Sequence, residues 1–201
     1  AAKLLLISSM TPQQKKLLLP IIILALGFVS LVGVALYIIA QPPDHRATAN
    51  IGGPFQLTDQ SGKRVSEATY KGGPMVVFFG FTHCPDVCPT TLFEMSEVLK
   101  RIPKDKKVAA LFVTVDPERD TPELLKAYMA NFDASFVALR PTAEQLQPLL
   151  KDFKIYAKKV EGKSSTSYTM DHSAQSYLYD PQGRLRLYNR YGSGAQALVD
   201  D

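Results

Sequence analysis

The sequence predicts an α/β fold behind a single N-terminal membrane-spanning helix. Three observations carry this. The run "LLLPIIILALGFVSLVGVALYIIA", residues 17–40, holds no charge across 24 residues. Past residue 53, short apolar runs alternate with stretches whose apolar residues recur every three or four positions. The first pattern suits buried strands and the second amphipathic helices. The last two runs then close on the turn "DPQGR" at 180–184. Strands alternating with helices and ending in a hairpin point to a thioredoxin-like arrangement.

The apolar run comes first in the chain. At 1.5 Å per residue it reaches roughly 36 Å, enough to cross a ~30 Å hydrocarbon core with some tilt. A cleaved signal peptide would carry a shorter apolar core, about 15 residues at most, followed by a small-residue cleavage site. Neither is present here, and no cysteine follows the run to accept a lipid. Lys15 and Lys16 precede the run, with Lys3 further back, whereas "QPPDHRATAN" behind it offers only Arg46. Positive flanks stay in the cytoplasm. The expected topology is therefore single-pass in the inner (cytoplasmic) membrane, with the N-terminus inside and the C-terminal domain in the periplasm. The mitochondrial counterpart is the intermembrane space. Residues 1–16 become a cytoplasmic segment, 17–40 the transmembrane anchor, 41–52 a linker rich in Pro and Gly, and 53–201 the folded domain.

The formal net charge is +4, from 23 basic and 19 acidic residues. Three of the basic residues precede the anchor and every acidic residue follows it, leaving 20 against 19 in the outer part. No basic stripe remains to bind nucleic acid.

The elements of the domain follow in order. "PFQLTDQSGKRVSEATYKGG" places a turn cluster at 59–62 between two extended runs, which predicts a hairpin. "PMVVFFGF" is continuously apolar, as a strand buried on both faces would be. "TTLFEMSEVLKRI" puts Leu92, Met95, Val98, Leu99 and Ile102 at helical spacing. "KVAALFVTVD" reads as a second buried strand. In "DTPELLKAYMANF", Thr121 is an N-cap candidate and Pro122 suits the first helical position, so a helix is expected to about Phe132. "FVALR" is a short strand. "PTAEQLQPLLKDF" carries Thr142 and Gln145 at capping-box spacing, with Pro148 placed to kink the helix. "KIYAKKV", "AQSYLYD" and "LRLYNRY" predict three further strands. "GSGAQALVDD" leaves room for only a stub of a closing helix.

Chemistry concentrates in "FFGFTHCPDVCPTTL", residues 78–92. It holds the only two cysteines, Cys84 and Cys88, where a buried strand hands over to a helix. At i,i+4 they would share one face of the first turn. The free N–H groups and positive dipole end there favour thiolates, with Asp86 opposing them. Three uses of such a pair compete. A structural disulfide would close a five-residue loop, too short to restrict the unfolded chain much. It would also strain a helical turn, whose i,i+4 Cβ atoms lie about 5–6 Å apart. Dithiol–disulfide exchange uses C-x-x-C in most oxidoreductases of this fold, one residue fewer than here. Binding of a soft metal suits two thiolates, Cu(I) above all, with one nitrogen completing the set.

Three histidines could supply that nitrogen. His45 lies in the linker. His83 adjoins Cys84 and should point away from the sulfurs. His172 lies in "SYTMDHSAQSYLYD", read as a polar loop running into a strand. A thioredoxin-like arrangement brings this loop against the cysteines.

Three motifs in order, "FFGFTHCPDVCPTTL", "TVDPERDTPELLKAY" and "DHSAQSYLYDPQGRL", resemble the Sco family, also called SenC. The similarity extends from about Gly52 to Gly192. The resemblance implies a membrane-tethered copper protein of cytochrome c oxidase assembly. It implies Cys84, Cys88 and His172 as ligands of Cu(I) or Cu(II), and Asp116 facing the site, although the residues alone read Asp116 as leading into a helix. The implied recipient is the binuclear copper site of cytochrome c oxidase subunit II, fed in turn by an upstream periplasmic copper donor. Two alternatives remain open at this point. One is a thiol-disulfide reductase, with Cys84 and Cys88 as its redox-active pair, that keeps the recipient cysteines reduced. The other is a sensor of copper or redox state.

Overall fold

The computed structural model describes residues 12–40, 51–103, 105–162 and 167–192. The segment before residue 12, His45 with most of the linker, and the expected closing stub at 193–201 lie outside them. The chain divides into two units, Ala1–Asp44 and His45–Asp201.

In the first unit the apolar run forms one helix, α1 (Pro12–Ala40, 29 residues). Its described side chains are all exposed, Leu24 and Leu31 by 75% and 72%. The side chains at 12–19, 21, 35 and 38–40 are not described, and among the described residues no helix is long and apolar enough to cross a membrane.

The second unit begins with the predicted hairpin, β1 (Gln56–Asp59) and β2 (Arg64–Ser66), paired antiparallel. A 3-10 turn at Glu67–Tyr70 leads to β3 (Met75–Gly80), in which all six residues are buried. Helix α2 (Val87–Arg101) follows, then β4 (Ala109–Thr114), α3 (Pro122–Met129), β5 (Phe136–Arg140) and α4 (Ala143–Asp152). Strands β6 (Ala157–Glu161), β7 (Tyr168–His172), β8 (Ser176–Tyr179) and β9 (Leu185–Asn189) complete the described chain.

Seven strands form one sheet in the order β2-β1-β5-β4-β3-β8-β9. The three central strands, β5, β4 and β3, run parallel, and antiparallel pairs flank them. Parallel strands need crossover helices, and α2 and α3 supply them. The alternation of side chains then sorts the core into two layers. On one face, Phe78 lies 6.2 Å from Phe112, which lies 5.9 Å from Tyr128 of α3. On the other, Phe79 meets Phe153 at the end of α4, 5.1 Å away, and Tyr177 and Tyr179 surround the same ring. The result is an α/β/α sandwich, as the alternation of elements predicts.

The helix ends show local rules at work. Thr121 caps α3 by accepting from the Leu124 N–H, with Pro122 at the first position. Thr142 and Gln145 form the reciprocal capping box of α4. That helix continues through Pro148. Helix α3 stops at Met129, short of the expected Phe132. The Asn131 side chain there donates to the Ala127 and Tyr128 carbonyls, satisfying acceptors that a longer helix would have used.

The largest departure concerns "YTMDH". Read as a loop, it is a strand, β7, paired antiparallel with β6 in a separate two-stranded sheet. Its side chains alternate between half-buried and exposed, with Tyr168, Met170 and His172 on the inner face. Thr169 and Asp171 face outward between Tyr168, Met170 and His172, the alternation of a strand with one wet face, over a run too short and too polar to be read as one.

Phe79 is fully buried in the α4-side layer. Phe79→Ala should lower unfolding free energy by about 3–5 kcal/mol. Chemical denaturation of the full chain measures this, and an unchanged midpoint would contradict the packing described.

Candidate metal centre

Strand β3 ends at Gly80, and the chain turns through residues 81–86 into α2. A residue before proline is pushed out of the α region. Cys84, followed by Pro85, lies outside the helix, which starts at Val87. The two thiols do not share a helical turn, as their spacing suggests. Cys84 stays in the turn and Cys88 is the second helical residue. The objection to a disulfide drawn from helical geometry therefore falls away, while the small entropic value of so short a loop remains.

Both cysteines are free, Cys84 half-buried and Cys88 buried. Asp86 occupies the N-cap position without a side-chain capping bond. Cys84 does that work instead: its Sγ accepts from the Cys88 N–H at 3.3 Å. The opposite wall is Gly80. A Cβ there would lie 2.8 Å from Cys88 Sγ and 2.8 Å from the Phe112 ring. The missing side chain of Gly80 is the space in which the Cys88 sulfur sits.

His172 ends β7. A carbonyl can only accept, so the 2.8 Å contact between His172 Nδ1 and Ser173 O places a proton on Nδ1. In the neutral ring this leaves the Nε2 lone pair free, and Nε2 lies 3.5 Å from Cys88 Sγ. A carbonyl bonded to the far ring nitrogen in this way orients metal-ligating imidazoles. Phe81 meets the ring edge-on at 5.7 Å. The ligand atoms of Cys84, Cys88 and His172 all lie within 4.8 Å of one another, and among the described residues they are the group of three able to hold a metal ion.

The two sulfurs are electrostatically unlike. Cys84 is held far below the ordinary thiol range, to about 4. The chief cause is a hydrogen bond from the Cys88 thiol. A hydrogen bond with the His172 side chain and the Cys88 and Asp86 N–H groups add to it, against burial. Cys88 moves the other way, pushed up by that same hydrogen bond, by burial and by the Cys84 charge. The pair thus holds one thiolate and one thiol. Two thiolates would need a cation to neutralise them, which is what a soft metal ion supplies.

His83 points away from the sulfurs, as expected. Its Nδ1 lies 3.1 Å from Thr82 Oγ1 and 3.9 Å from Asp120. Asp116 does not join the three donors. It is buried, accepting from Arg119 Nε at 2.5 Å and from the Tyr168 hydroxyl at 2.9 Å. Nor does it lead directly into a helix, since α3 begins six residues later.

Sequence reading missed Asp120. This fully buried carboxylate accepts from Thr114 Oγ1, Thr82 Oγ1 and the Thr82 N–H. It ties the end of β4 to the turn that carries Cys84. Burial pushes its pKa up, against the hydrogen bonds from Thr114 and Thr82. Flanked by Arg119 and Thr121, it carries no sequence signal that separates it from a solvated acid.

Two cysteines and one histidine gathered at the end of a thioredoxin-like sheet define a protein that handles soft metals or thiols. The family follows from comparison. Residues 43–201 match the SCO1/SenC family, and the chain belongs to it. A SCO2-like protein of Rickettsia prowazekii is 36% identical over 152 residues, covering 75% of this chain and 74% of that protein. Bradyrhizobium japonicum ScoI, solved with copper bound, superposes with a TM-score of 0.70 at 47% identity, covering 75% of this chain and 96% of that one. BsSco, a member of the Sco family of cytochrome c oxidase assembly proteins in which a disulfide switch was identified, superposes with a TM-score of 0.61 at 28% identity. That match covers 76% of this chain and 91% of that one.

The unlike sulfurs give a pH test. A depressed thiol contributes stability that is complete above its unfolded pKa, ~8.5, and lost as pH falls through the folded value. At about pH 6.5, two units below an ordinary thiol, Cys84 should therefore still be thiolate. Iodoacetamide should alkylate Cys84 there and spare Cys88, with peptide mass mapping as the readout. Equal labelling of both would refute the asymmetry.

Proposed function

We propose that the chain is a membrane-anchored copper carrier of cytochrome c oxidase assembly. In this reading Cys84, Cys88 and His172 are the ligands. The observation that carries it is the convergence of the three donor atoms within 4.8 Å, with the imidazole presenting Nε2 toward the sulfurs. The donor set fits copper in both oxidation states. Two thiolates suit Cu(I), and the imidazole adds the harder nitrogen that Cu(II) favours. Family membership and the copper-bound ScoI support the choice of metal.

Copper is cargo here. Cys84 is half-exposed, so an incoming sulfur from a recipient can displace it first, with Cys88 and His172 following. The recipient in this reading is the binuclear copper site of cytochrome c oxidase subunit II, and an upstream periplasmic donor loads the carrier. The domain faces the periplasm, and α1 anchors it in the inner membrane. Support for the anchor comes from 24 uncharged residues within one continuous helix whose described apolar side chains have no protein cover. A helix apolar on all sides belongs in a core or in lipid. Holding donor and recipient in one membrane raises effective concentration without any new contact.

The unlike sulfurs favour one further reading, a thiol-disulfide reductase. Cys84 thiolate would attack a recipient disulfide, expelling one recipient thiolate. Cys88 would then lose its proton and displace the other, leaving a Cys84–Cys88 disulfide. Metal analysis separates the two readings. A carrier purified under reducing conditions holds one equivalent of copper. A reductase is metal-free and reduces small disulfides at once.

His172→Ala should weaken Cu(II) binding beyond the roughly 10–100-fold typical of losing an outer-sphere partner, with a much smaller loss for Cu(I). Chelator competition measures both. Cys84→Ser or Cys88→Ser should abolish tight Cu(I) binding, and stoichiometric copper retained in both would defeat the ligand assignment. Membrane topology has its own test. In intact spheroplasts, external protease should digest the domain and leave a carbonate-resistant fragment containing residues 17–40. Extraction of the whole chain by carbonate would refute the anchor.

A further inference from the structure

Arg119 reaches both the turn that carries Cys84 and the strand that carries His172. Its Nε pairs with Asp116 at 2.5 Å. Its Nη1 donates to the Tyr168 carbonyl at 2.9 Å. Its guanidinium carbon lies 3.6 Å from the centre of the Tyr168 ring and 5.9 Å from that of Phe81. Lys159, from β6, covers the Tyr168 ring at 3.9 Å. The Tyr168 hydroxyl returns to Asp116 at 2.9 Å. Tyr168 and His172 are the first and last residues of β7 and share its inner face. Phe81 meets the His172 ring and accepts, through its carbonyl, from the Cys84 N–H at 3.2 Å.

The hairpin that carries His172 is not part of the main sheet. Strands β6 and β7 pair only with each other, so the ladder that fixes β3, and with it the cysteine turn, does nothing to fix β7. At the base, the Ser173 N–H donates to the Tyr156 carbonyl and the Tyr156 N–H to Ser173 Oγ, but both lie within the same excursion of the chain. The clamp at the 116–119 turn ties the Tyr168 end of β7 to the main body, beside Met170 and Ala157 packed against the core and the exposed Lys159–Glu118 pair. Among the described residues, Arg119 Nη2 is buried without a hydrogen-bond partner. Its planar head is thus seated for stacking and for two bonds, at the expense of a third.

We propose that Arg119, gripped by Asp116 and stacked on Tyr168, is a positioning residue that registers the His172 strand against the cysteine turn. It touches none of the three donors. It acts through Tyr168 on β7 and through Phe81 on the turn, and so sets where the imidazole stands relative to the sulfurs. A flat cation that forks between a carboxylate and a carbonyl while stacking on a ring is a task for arginine rather than lysine. In its consequence for metal binding, this rests on reading the site as a copper centre.

The test has a metal-free arm and a copper arm, both on the full chain in detergent. Long-range nitrogen–proton NMR of the metal-free protein reports the His172 tautomer, which Ser173 sets with the proton on Nδ1. Arg119→Met should mix the tautomers and shift both His172 ring nitrogens, with native far-ultraviolet circular dichroism. If that variant fails to fold, Arg119→Lys keeps the charge beside Asp116 but loses the planar fork, and should show the same shifts. Tyr168→Phe keeps the stacked ring, loses only the hydroxyl bond, and should stay close to the parent. In the copper arm, Arg119→Met should lose about tenfold or more in Cu(II) affinity and move the thiolate-to-Cu(II) absorption band, with Cu(I) affinity changing about twofold at most. Unchanged His172 nitrogens in both Arg119 variants would overturn the proposal. So would a native Cu(II) band in variants where His172→Ala abolishes it. If the parent takes up no copper while its His172 nitrogens still shift on loss of Arg119, the positioning role stands and the copper reading falls.

Discussion

The buried carboxylate of Asp120 is the constraint on which the site rests. A charge in a fully buried position is costly unless hydrogen bonds satisfy it. Three donors do so, from Thr114 on β4 and from the hydroxyl and N–H of Thr82. Losing one hydrogen bond to such a charged group costs about 1.5–3 kcal/mol, a sizeable part of a domain's net stability of about 5–15 kcal/mol. The turn after β3 therefore has one position open to it. Cys84 follows Thr82 by two residues and inherits that position. Cys88 is fixed independently, by α2 and by the hollow over Gly80. The sulfurs stand on rigid ground before any ligand arrives.

The imidazole is built differently. It comes from a two-stranded hairpin joined to the body by the stacking of Arg119 on Tyr168, the Arg119 bond to the Tyr168 carbonyl, the Tyr168 hydroxyl on Asp116, the exposed Lys159–Glu118 pair, and Ala157 and Met170 packed against the core. Each such contact is worth less than a full sheet ladder, and the exposed Lys159–Glu118 pair adds little. A site made of two firmly held sulfurs and one more lightly held nitrogen suits an ion that must leave. Firm sulfurs keep the soft ion selective. A nitrogen on a separate excursion can adjust as the oxidation state changes, without the core moving.

Much of the fold was legible because local rules and tertiary structure agree. The unbroken apolar run of β3, the capping box at Thr142 and Gln145, and the Thr121–Pro122 start of α3 each declare themselves, and the structure honours them. Cys84 and Cys88 were legible as a chemical pair from rarity and spacing. Their geometry was not, because the helix-like interval of four residues does not show that the helix begins only at Val87, past Cys84. His172 came from resemblance and from the expected arrangement, since the alternation of "YTMDH" holds only two apolar residues among polar ones and reads as a loop. Asp116 came from the same source, and its buried engagement with Arg119 and Tyr168 could not be read at all. In "DPERD" the charges sit side by side as they would on a solvated turn. Only tertiary structure separates the two aspartates that are buried from the glutamate that is exposed.

The unequal sulfurs bring these strands together. One thiol hydrogen bond holds Cys84 as thiolate and Cys88 as thiol, so the resting pair carries a single negative charge. A monovalent soft cation that enters displaces the Cys88 proton and finds its charge balanced by two sulfurs, leaving net −1. A divalent ion at the same place would be neutral with the sulfurs and would gain more from the His172 lone pair, because a harder ion draws more from a nitrogen donor. In the proposed copper site, the oxidation state of the ion would set how strongly the imidazole is drawn toward the sulfurs. The lightly held nitrogen is the part of the site that reads charge, and the sulfurs are the part that reads softness.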